Sequence, residues 1–392
     1  MQVKKNAQPK RKKHVQTAQK RNVAQKMQNV LIKKQILQLQ KQTRKIKQMK
    51  TTMKLVLVLI TFTLYHNTSK ASLISINASG IVATEKKEKL IIPANGNIRC
   101  IYEDVAGNTW YGSDGDGLIK FDGKKFKSYT IKEGLSGNFV RGIVQDAKGN
   151  LWIATNAGID VFNGLFFKNI IANEYVENKS ATCAYIDKNN TLWFGTTHGV
   201  YKVKDFKLSY IPLPKATKDL KSTNHAYSVY SITQDKQGNY WFGTEFKGLC
   251  KYDGKTFVFI NKNEPLKAAI RSVMVDRKGK VWYGDSAGDL YTYDGKNIEN
   301  ISNKFTPQNG AKIKNVWSIK EESDGKIWVS SIDHGVWTIE NNSIIQPYKK
   351  ESPNKEGVLF IYINRKNKML FGGQGGAVFD EDFNLVFERD GC

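Results

Sequence analysis

The chain has 392 residues and a formal net charge of +25, from 61 Lys and Arg against 36 Asp and Glu. A surplus of that size ordinarily points to nucleic acid or an anionic membrane surface, but its distribution excludes both for most of the molecule. Residues 1–52 carry 16 Lys and Arg and no acidic residue, Lys54 and Lys70 add two more, and residues 71–392 hold 43 basic residues against 36 acidic ones. The remaining surplus is ordinary solubility charge, and no nucleic-acid partner is expected.

In chain order, the basic tail of residues 1–52 precedes Met53-Lys54 and the apolar run LVLVLITFTLY, which ends in small and polar residues at Ser69-Lys70-Ala71. A charged start, a short apolar core and a small residue at the end are the anatomy of a secretory signal peptide, read over residues 53–71. This run of 11 residues is too short to span a bilayer as a helix, so no membrane span is expected after cleavage. Residues 1–52 then read as an over-extended start, and the mature protein is expected in the periplasm or outside the cell. Residues 72–96 read as a linker with a possible closing strand.

From residue 97 to 388 one pattern recurs seven times: an apolar strand, an Asp, a Gly/Asn turn, an aromatic strand, then Gly. The first copy is IRCIYEDVAGNTWYGSDGDGLIKFDG, the second VRGIVQDAKGNLWIATNAGIDVFNG, the fourth VYSITQDKQGNYWFGTEFKGLCKYDG. Its aromatic anchors are Trp110, Trp152, Trp193, Trp241, Trp282, Trp328 and Phe371, spaced by 42, 41, 48, 41, 46 and 43 residues. A period in the low forties with several short strands per repeat predicts an all-β fold, a single seven-bladed β-propeller of four-stranded antiparallel blades.

The first blade reads as strands Ile98–Glu103, Thr109–Gly112, Leu118–Asp122 and Lys125–Tyr129. Gly and Asn in the turns supply the positive φ of tight hairpins, and Asp122-Gly123, Asn163-Gly164, Asp253-Gly254 and Asp294-Gly295 mark the hairpins between third and fourth strands. The Trp residues fill the space between twisted sheets, which predicts burial. Asp104, Asp146, Asp187, Asp235 and Asp276 recur at one place and are read as turn caps that bond local amides; a catalytic set would break the repeat. Lys89–Ile92 and Asn384–Glu388 read as spare outer strands available to close the ring, because a propeller gains by leaving no open seam.

These residues resemble the two-component regulator propeller repeat, V-x-x-I-x-x-D-x-x-G-N-x-W-x-G-T-x-x-G-(L/V)-x-x-(F/Y)-D-G. The match is close in blades one to five. Glu322 replaces Asp in the sixth, and Phe371 replaces Trp in the seventh. The resemblance implies a periplasmic sensor propeller of the kind found in bacterial hybrid histidine kinases, many of which respond to carbohydrates. Here it is expected as a stand-alone propeller, or as a fragment of a larger hybrid sensor kinase.

Catalytic chemistry has little support. There is no phosphate-binding glycine loop and no metal-ligand spacing among Cys100, Cys183, Cys250 and Cys392, so no cofactor and no metal is expected. Asp114-Gly115-Asp116-Gly117 lacks the third Asp and distal Glu of a calcium loop and reads as a polar turn. The protein is therefore expected not to be an enzyme. The alternative is a resemblance to streptogramin-type lyases, which implies a His and a Glu acting over magnesium; His198, His334 and Glu245 are the comparable residues.

Recognition should sit where the repeat breaks symmetry. Just after the start of each first strand stand Arg99, Arg141, Thr182, Tyr230, Arg271, Trp317 and Phe360. The loops between second and third strands contribute Asp114, Asp116, Asn156, His198, Glu245 with Phe246, Asp285, Asp333 with His334, and Gln374. Both sets are expected on one rim, together with the longer connections 206–226 and 298–314. Planar cations beside aromatic rings suit a carbohydrate or other polar ligand, or a protein partner. Predicted ligand-binding residues are thus Arg99, Arg141, Tyr230, Arg271, Trp317, Phe360, His198, Glu245, Asp333 and His334.

Overall fold

The computed structural model describes residues 90–170, 180–204, 206–214, 228–245, 248–260, 268–286, 288–304, 313, 315–332, 335–340, 343–347 and 357–389. The signal segment, the basic tail, Lys89, Phe246, Asp333, His334, Cys392 and parts of both long connections lie outside the described residues. Among the described residues, no helix is long and apolar enough to cross a membrane.

Seven antiparallel sheets follow one another along the chain. Their first strands are Ile98–Glu103, Val140–Gln145, Ala181–Ile186, Val229–Gln234, Ile270–Val275, Val316–Glu321 and Val358–Ile363. Each pairs with the next strand by a hairpin, and the first strands of successive blades pack against one another around the axis. In the first blade the strands are Ile98–Glu103, Thr109–Ser113, Leu118–Phe121 and Phe126–Tyr129, within a residue of expectation. Six blades have four strands in one ladder; the seventh has three, Val358–Ile363, Met369–Gly373 and Val378–Phe379. Its outer place is taken by the segment around Leu385, held through a single bridge to Phe379 and a 2.8 Å bond from Val386 N–H to Val378 O.

Both terminal segments close the ring, side by side. Ile91–Ile92 pairs in parallel with Glu388–Arg389. Ile92 and Phe387 are buried with Ile98, Tyr111 and Ile119 of the first blade and Val378 of the seventh. The turn at Asp114–Gly117 locks this seam: Asp116 accepts the amides of Asn95 and Gly96 at 3.0 and 2.7 Å. The calcium-like spelling of that turn therefore belongs to closure.

The aromatic anchors are buried. The recurrent carboxylate does more than cap its turn. Asp104 accepts the amides of Ala106 and Asn108 through one oxygen, and the Asn108 side chain and the Trp110 indole N–H (2.8 Å) through the other. The indole bond repeats at Trp152–Asp146, Trp193–Asp187, Trp241–Asp235, Trp282–Asp276 and Trp328–Glu322, at 2.8 to 3.0 Å. In blade seven both members change together, and the expected anchor is one residue off: Leu370 pairs with Tyr362 as Trp328 pairs with Lys320, whereas Phe371 holds the place of Val329. Leu370 has no side-chain N–H, and Asn364 only caps the amides of Lys366 and Lys368.

Burial pushes the Asp104, Asp146 and Asp187 carboxyls up, but the hydrogen bonds from indole, Asn or Tyr side chains and amides outweigh it and hold all three below the ordinary 3.8. A carboxylate lowered in the folded state stabilises at pH above its unfolded value and loses that contribution as pH falls through the folded one. Melting temperature is thus expected to stay level down to about pH 5 and to fall below about pH 4, and Asp146→Asn should remove part of that acid slope. Thermal melts from neutral to about pH 2.5 check it; an unchanged slope in the variant would assign acid lability elsewhere.

Blades are also clasped to one another by a column of small residues that the sequence reading passed over. Ser231, Ser272 and Ser318 hydroxyls accept the amides of Val273, Ile319 and Ile361 in the following blades, at 3.0, 3.0 and 3.3 Å. The thiols of Cys100 and Cys183 reach Val140 O and Val229 O. Burial pushes both thiols up to about 12, so they act as small packing groups, as expected for unpaired interior cysteines.

Candidate ligand-binding collar

Every first strand carries a bulge at the same place. Pairing with the second strand skips one residue between Ile98 and Cys100, Val140 and Gly142, Ala181 and Cys183, Val229 and Ser231, Ile270 and Ser272, Val316 and Ser318, and Val358 and Phe360. The skipped residues are Arg99, Arg141, Thr182, Tyr230, Arg271, Trp317 and Leu359. A bulged residue leaves the ladder and its side chain is re-aimed. All seven line one central cavity of about 260 Å³, which the first strands enclose.

This corrects one assignment. Phe360 is the residue after the bulge and occupies the clasp column of Cys100 and Ser318; Leu359 holds the collar place in blade seven. The bulge inserts an extra residue, and a run reading Val-Leu-Phe gives no polar mark to show which one is skipped. Phe360 still lines the cavity, packed against the cores of the first-blade seam.

The expected shared rim is built by a hydrogen bond repeated in all seven blades. The amide just after the second strand donates to the carbonyl just before the first strand: Asp114 to Asn97, Asn156 to Phe139, Thr197 to Ser180, Glu245 to Ser228, Ser286 to Ala269, Ile332 to Asn315 and Gln374 to Gly357, at 2.9 to 3.4 Å. None of the described loop residues lines the cavity, however. Asn156 accepts the Phe139 amide and Gln374 that of Gly357, which ties their loops to the connection entering the first strand, while Asp285 accepts those of Gly288 and Asp289 and caps its own loop. His198 bonds through Nδ1 to the Thr197 hydroxyl at 3.0 Å. Asp114 reaches Arg99 at 3.6 Å, and Glu245 lies against Tyr230. Burial and then that carboxylate push the Tyr230 hydroxyl up.

The collar itself is a continuous stack over four blades. The Arg271 guanidinium lies 3.9 Å from the Tyr230 ring centroid and 5.4 Å from that of Trp317, and the Arg99 guanidinium lies 4.4 Å from the Trp317 centroid. Trp317 is fixed by its indole N–H to Asn315 at 3.0 Å. Arg141 donates to the Ser180 hydroxyl at 3.1 Å. Thr182 donates to Val229 O and is buried. Burial lowers the Arg99 proton affinity, Asp114 opposes this, and Arg141 and Arg271 lower it further, which places three guanidinium groups within one another's field. Deeper in the same cavity lies Lys320, its ammonium 5.8 Å from the Phe360 ring and its pKa lowered by burial. Lys320 carried no signal in the sequence, since neighbouring blades have Met274 and Tyr362 at its place. Among the described residues, no group of three His, Cys, Asp or Glu is placed to hold a metal ion.

The description "two component regulator propeller" matches residues 134–157, 175–198 and 225–246, each running across a first strand, its turn and the anchoring second strand. The chain carries two-component regulator propeller repeats. Among curated relatives, Histidine kinase P4 of Formosa agariphila is 28% identical over 123 residues, covering 29% of this chain and 9% of the kinase. Among solved structures, the extracellular domain of the hybrid two component system BT3049 from B. thetaiotaomicron matches with a TM-score of 0.59 and 19% identity, over 75% of this chain and 42% of that one. Virginiamycin B lyase from Staphylococcus aureus matches with a TM-score of 0.59 and 13% identity, over 74% of this chain and 95% of the lyase. Both likenesses are of fold. The regulator propeller repeats here span less than half of the sensor domain and about a tenth of the kinase.

Proposed function

We propose that the protein is an exported, non-catalytic propeller of the sensor type, which recognises a polar ligand such as a carbohydrate, or a protein partner, through its collar in the periplasm or outside the cell. One observation carries the reading. The seven bulged positions are released from strand pairing in every blade, and only there do the repeats diverge into arginines and aromatic rings stacked on one another. Stacked rings with planar donors bind sugar faces and hydroxyls. The regulator repeats and the fold shared with an extracellular sensor domain support the same reading. A fragment of a larger hybrid sensor kinase would use the collar in the same way.

The test pairs binding with stability. The full chain is screened by thermal shift against neutral and acidic oligosaccharides, and each hit is titrated against Trp317→Ala and Trp241→Ala. Trp317→Ala is expected to weaken binding at least about tenfold with a small change in melting temperature, because the ring is only half-buried and pairs with no strand. If Trp317→Ala loses stability first, as Trp241→Ala should, the collar is only blade packing.

A second reading rests on the lyase fold, most of whose length this chain matches. Here His198 and Glu245 stand on adjacent blades of the same rim. Magnesium-dependent opening of a streptogramin-type substrate, lost in His198→Ala, would favour it over the binding reading.

A further inference from the structure

We propose that the central channel is an oxyanion site, in which Arg141 and Arg271 grip a carboxylate or sulfate group of the ligand while its uncharged part stacks on Tyr230 and Trp317. The inference rests on the reading of the collar as a ligand mouth and names the chemistry of what enters it.

Four cationic side chains, Arg99, Arg141, Arg271 and Lys320, line this one cavity, and among the described residues no Asp or Glu lines it with them. Buried or half-buried cations are normally matched by carboxylates, since an unmatched charge gives up its hydration without recompense. Among the described residues only Arg99 has such a partner, Asp114 at the rim. Arg141 has one hydroxyl, and its Nε is buried with no hydrogen-bond partner among the described residues. Arg271 is stacked between two rings, and its Nε is likewise buried and unpartnered. The Lys320 ammonium faces the ring of Phe360, with no ion pair to it among the described residues.

An arginine stacked on a ring keeps its donors in a fixed plane, and that fork fits two oxygens of a carboxylate or sulfate. The stacked fork of Arg271 from the fifth blade and the guanidinium of Arg141 from the second, tethered to Ser180, enter one cavity with Lys320, and together they supply donors and a positive field that low-dielectric walls strengthen. A neutral ligand would leave the repulsion between these cations in place. An oxyanion removes it and satisfies the two orphaned nitrogens at once.

The experiment uses the full chain at fixed ionic strength set with sodium chloride. Sodium glucuronate, sodium sulfate and glucose are titrated calorimetrically, so the first two arms separate a planar carboxylate from a tetrahedral anion. Sulfate stabilises proteins generally by exclusion from their surface, so binding heat and its loss in variants are the diagnostic, not melting temperature alone. At least one oxyanion is expected to bind while glucose does not. Arg141→Gln and Arg271→Gln should each weaken it at least about tenfold, with melting temperature equal to or above wild type because a like-charge contact is removed. Arg277→Gln, on the exposed turn at the other face of the ring, should bind as wild type. Oxyanion binding that survives both channel variants, or that falls equally in Arg277→Gln, overturns the proposal. If a neutral oligosaccharide binds in a Trp317-dependent way and no oxyanion does, the oxyanion site fails and the collar reading stands. If no charged or neutral probe binds, both fail.

Discussion

Trp241→Ala is expected to cost about 3–5 kcal/mol in folding stability. The ring is 4% exposed and fills the space between Leu249, Ile270, Val273, Val281 and Tyr283. Its N–H satisfies Asp235 at 3.0 Å, and the Lys251 ammonium lies over its face at 5.6 Å. Truncation therefore opens a cavity and leaves a carboxylate oxygen short of a donor. Blade seven shows the compensated alternative, with Leu370 in the Trp place and Asn364 in the Asp place. Trp241→Leu should accordingly cost less in an Asp235→Asn background than in the wild type, by on the order of 1 kcal/mol. Urea unfolding of the two singles and the double measures this. Strict additivity would mean that indole and carboxylate do not act as a unit.

Phe387→Ala is expected to cost a similar amount, about 3–5 kcal/mol, and to act on the seam alone. Phe387 is buried against Tyr111, Phe121 and Phe126, with ring centroids 6.0, 5.0 and 4.9 Å away. It belongs to a segment whose ladder is only two residues long, so side-chain packing, not strand pairing, holds the closing pair in place. Hydrogen exchange should show protection lost first at Ile92 and Val386, while blades three to five keep theirs. Uniform loss around the ring would show that the terminal pair is not a separate closing element.

Blade number and strand limits were legible because turn chemistry is local: Asp-Gly, Asn-Gly and the repeated Gly/Asn turn mark hairpins without knowledge of anything distant. The collar was legible for the opposite reason, as the one column that does not repeat. What escaped depended on register. The Trp–Asp bond joins residues six apart across a hairpin, and its only trace in sequence is that Asp and Trp are both replaced in blade seven. The serine and cysteine clasps join residues forty or more apart, and small residues in a strand carry no instruction about their partner. Phe360 was placed one residue off because the skipped position lies inside an apolar run. The loop residues Asn156, Asp285 and Gln374 were read for their polarity, which the turns themselves consume.

The bulge shared by all seven first strands separates two tasks that most sheets mix. Residues in the ladder must suit both their pair and the facing blade, so changing one forces changes elsewhere. The seven skipped residues carry no such obligation to a strand partner. A library randomised at 99, 141, 182, 230, 271, 317 and 359 should therefore retain a large folded fraction while ligand preference varies widely among its members. The propeller is in this sense a mounting whose seven inserts can be exchanged independently of the frame.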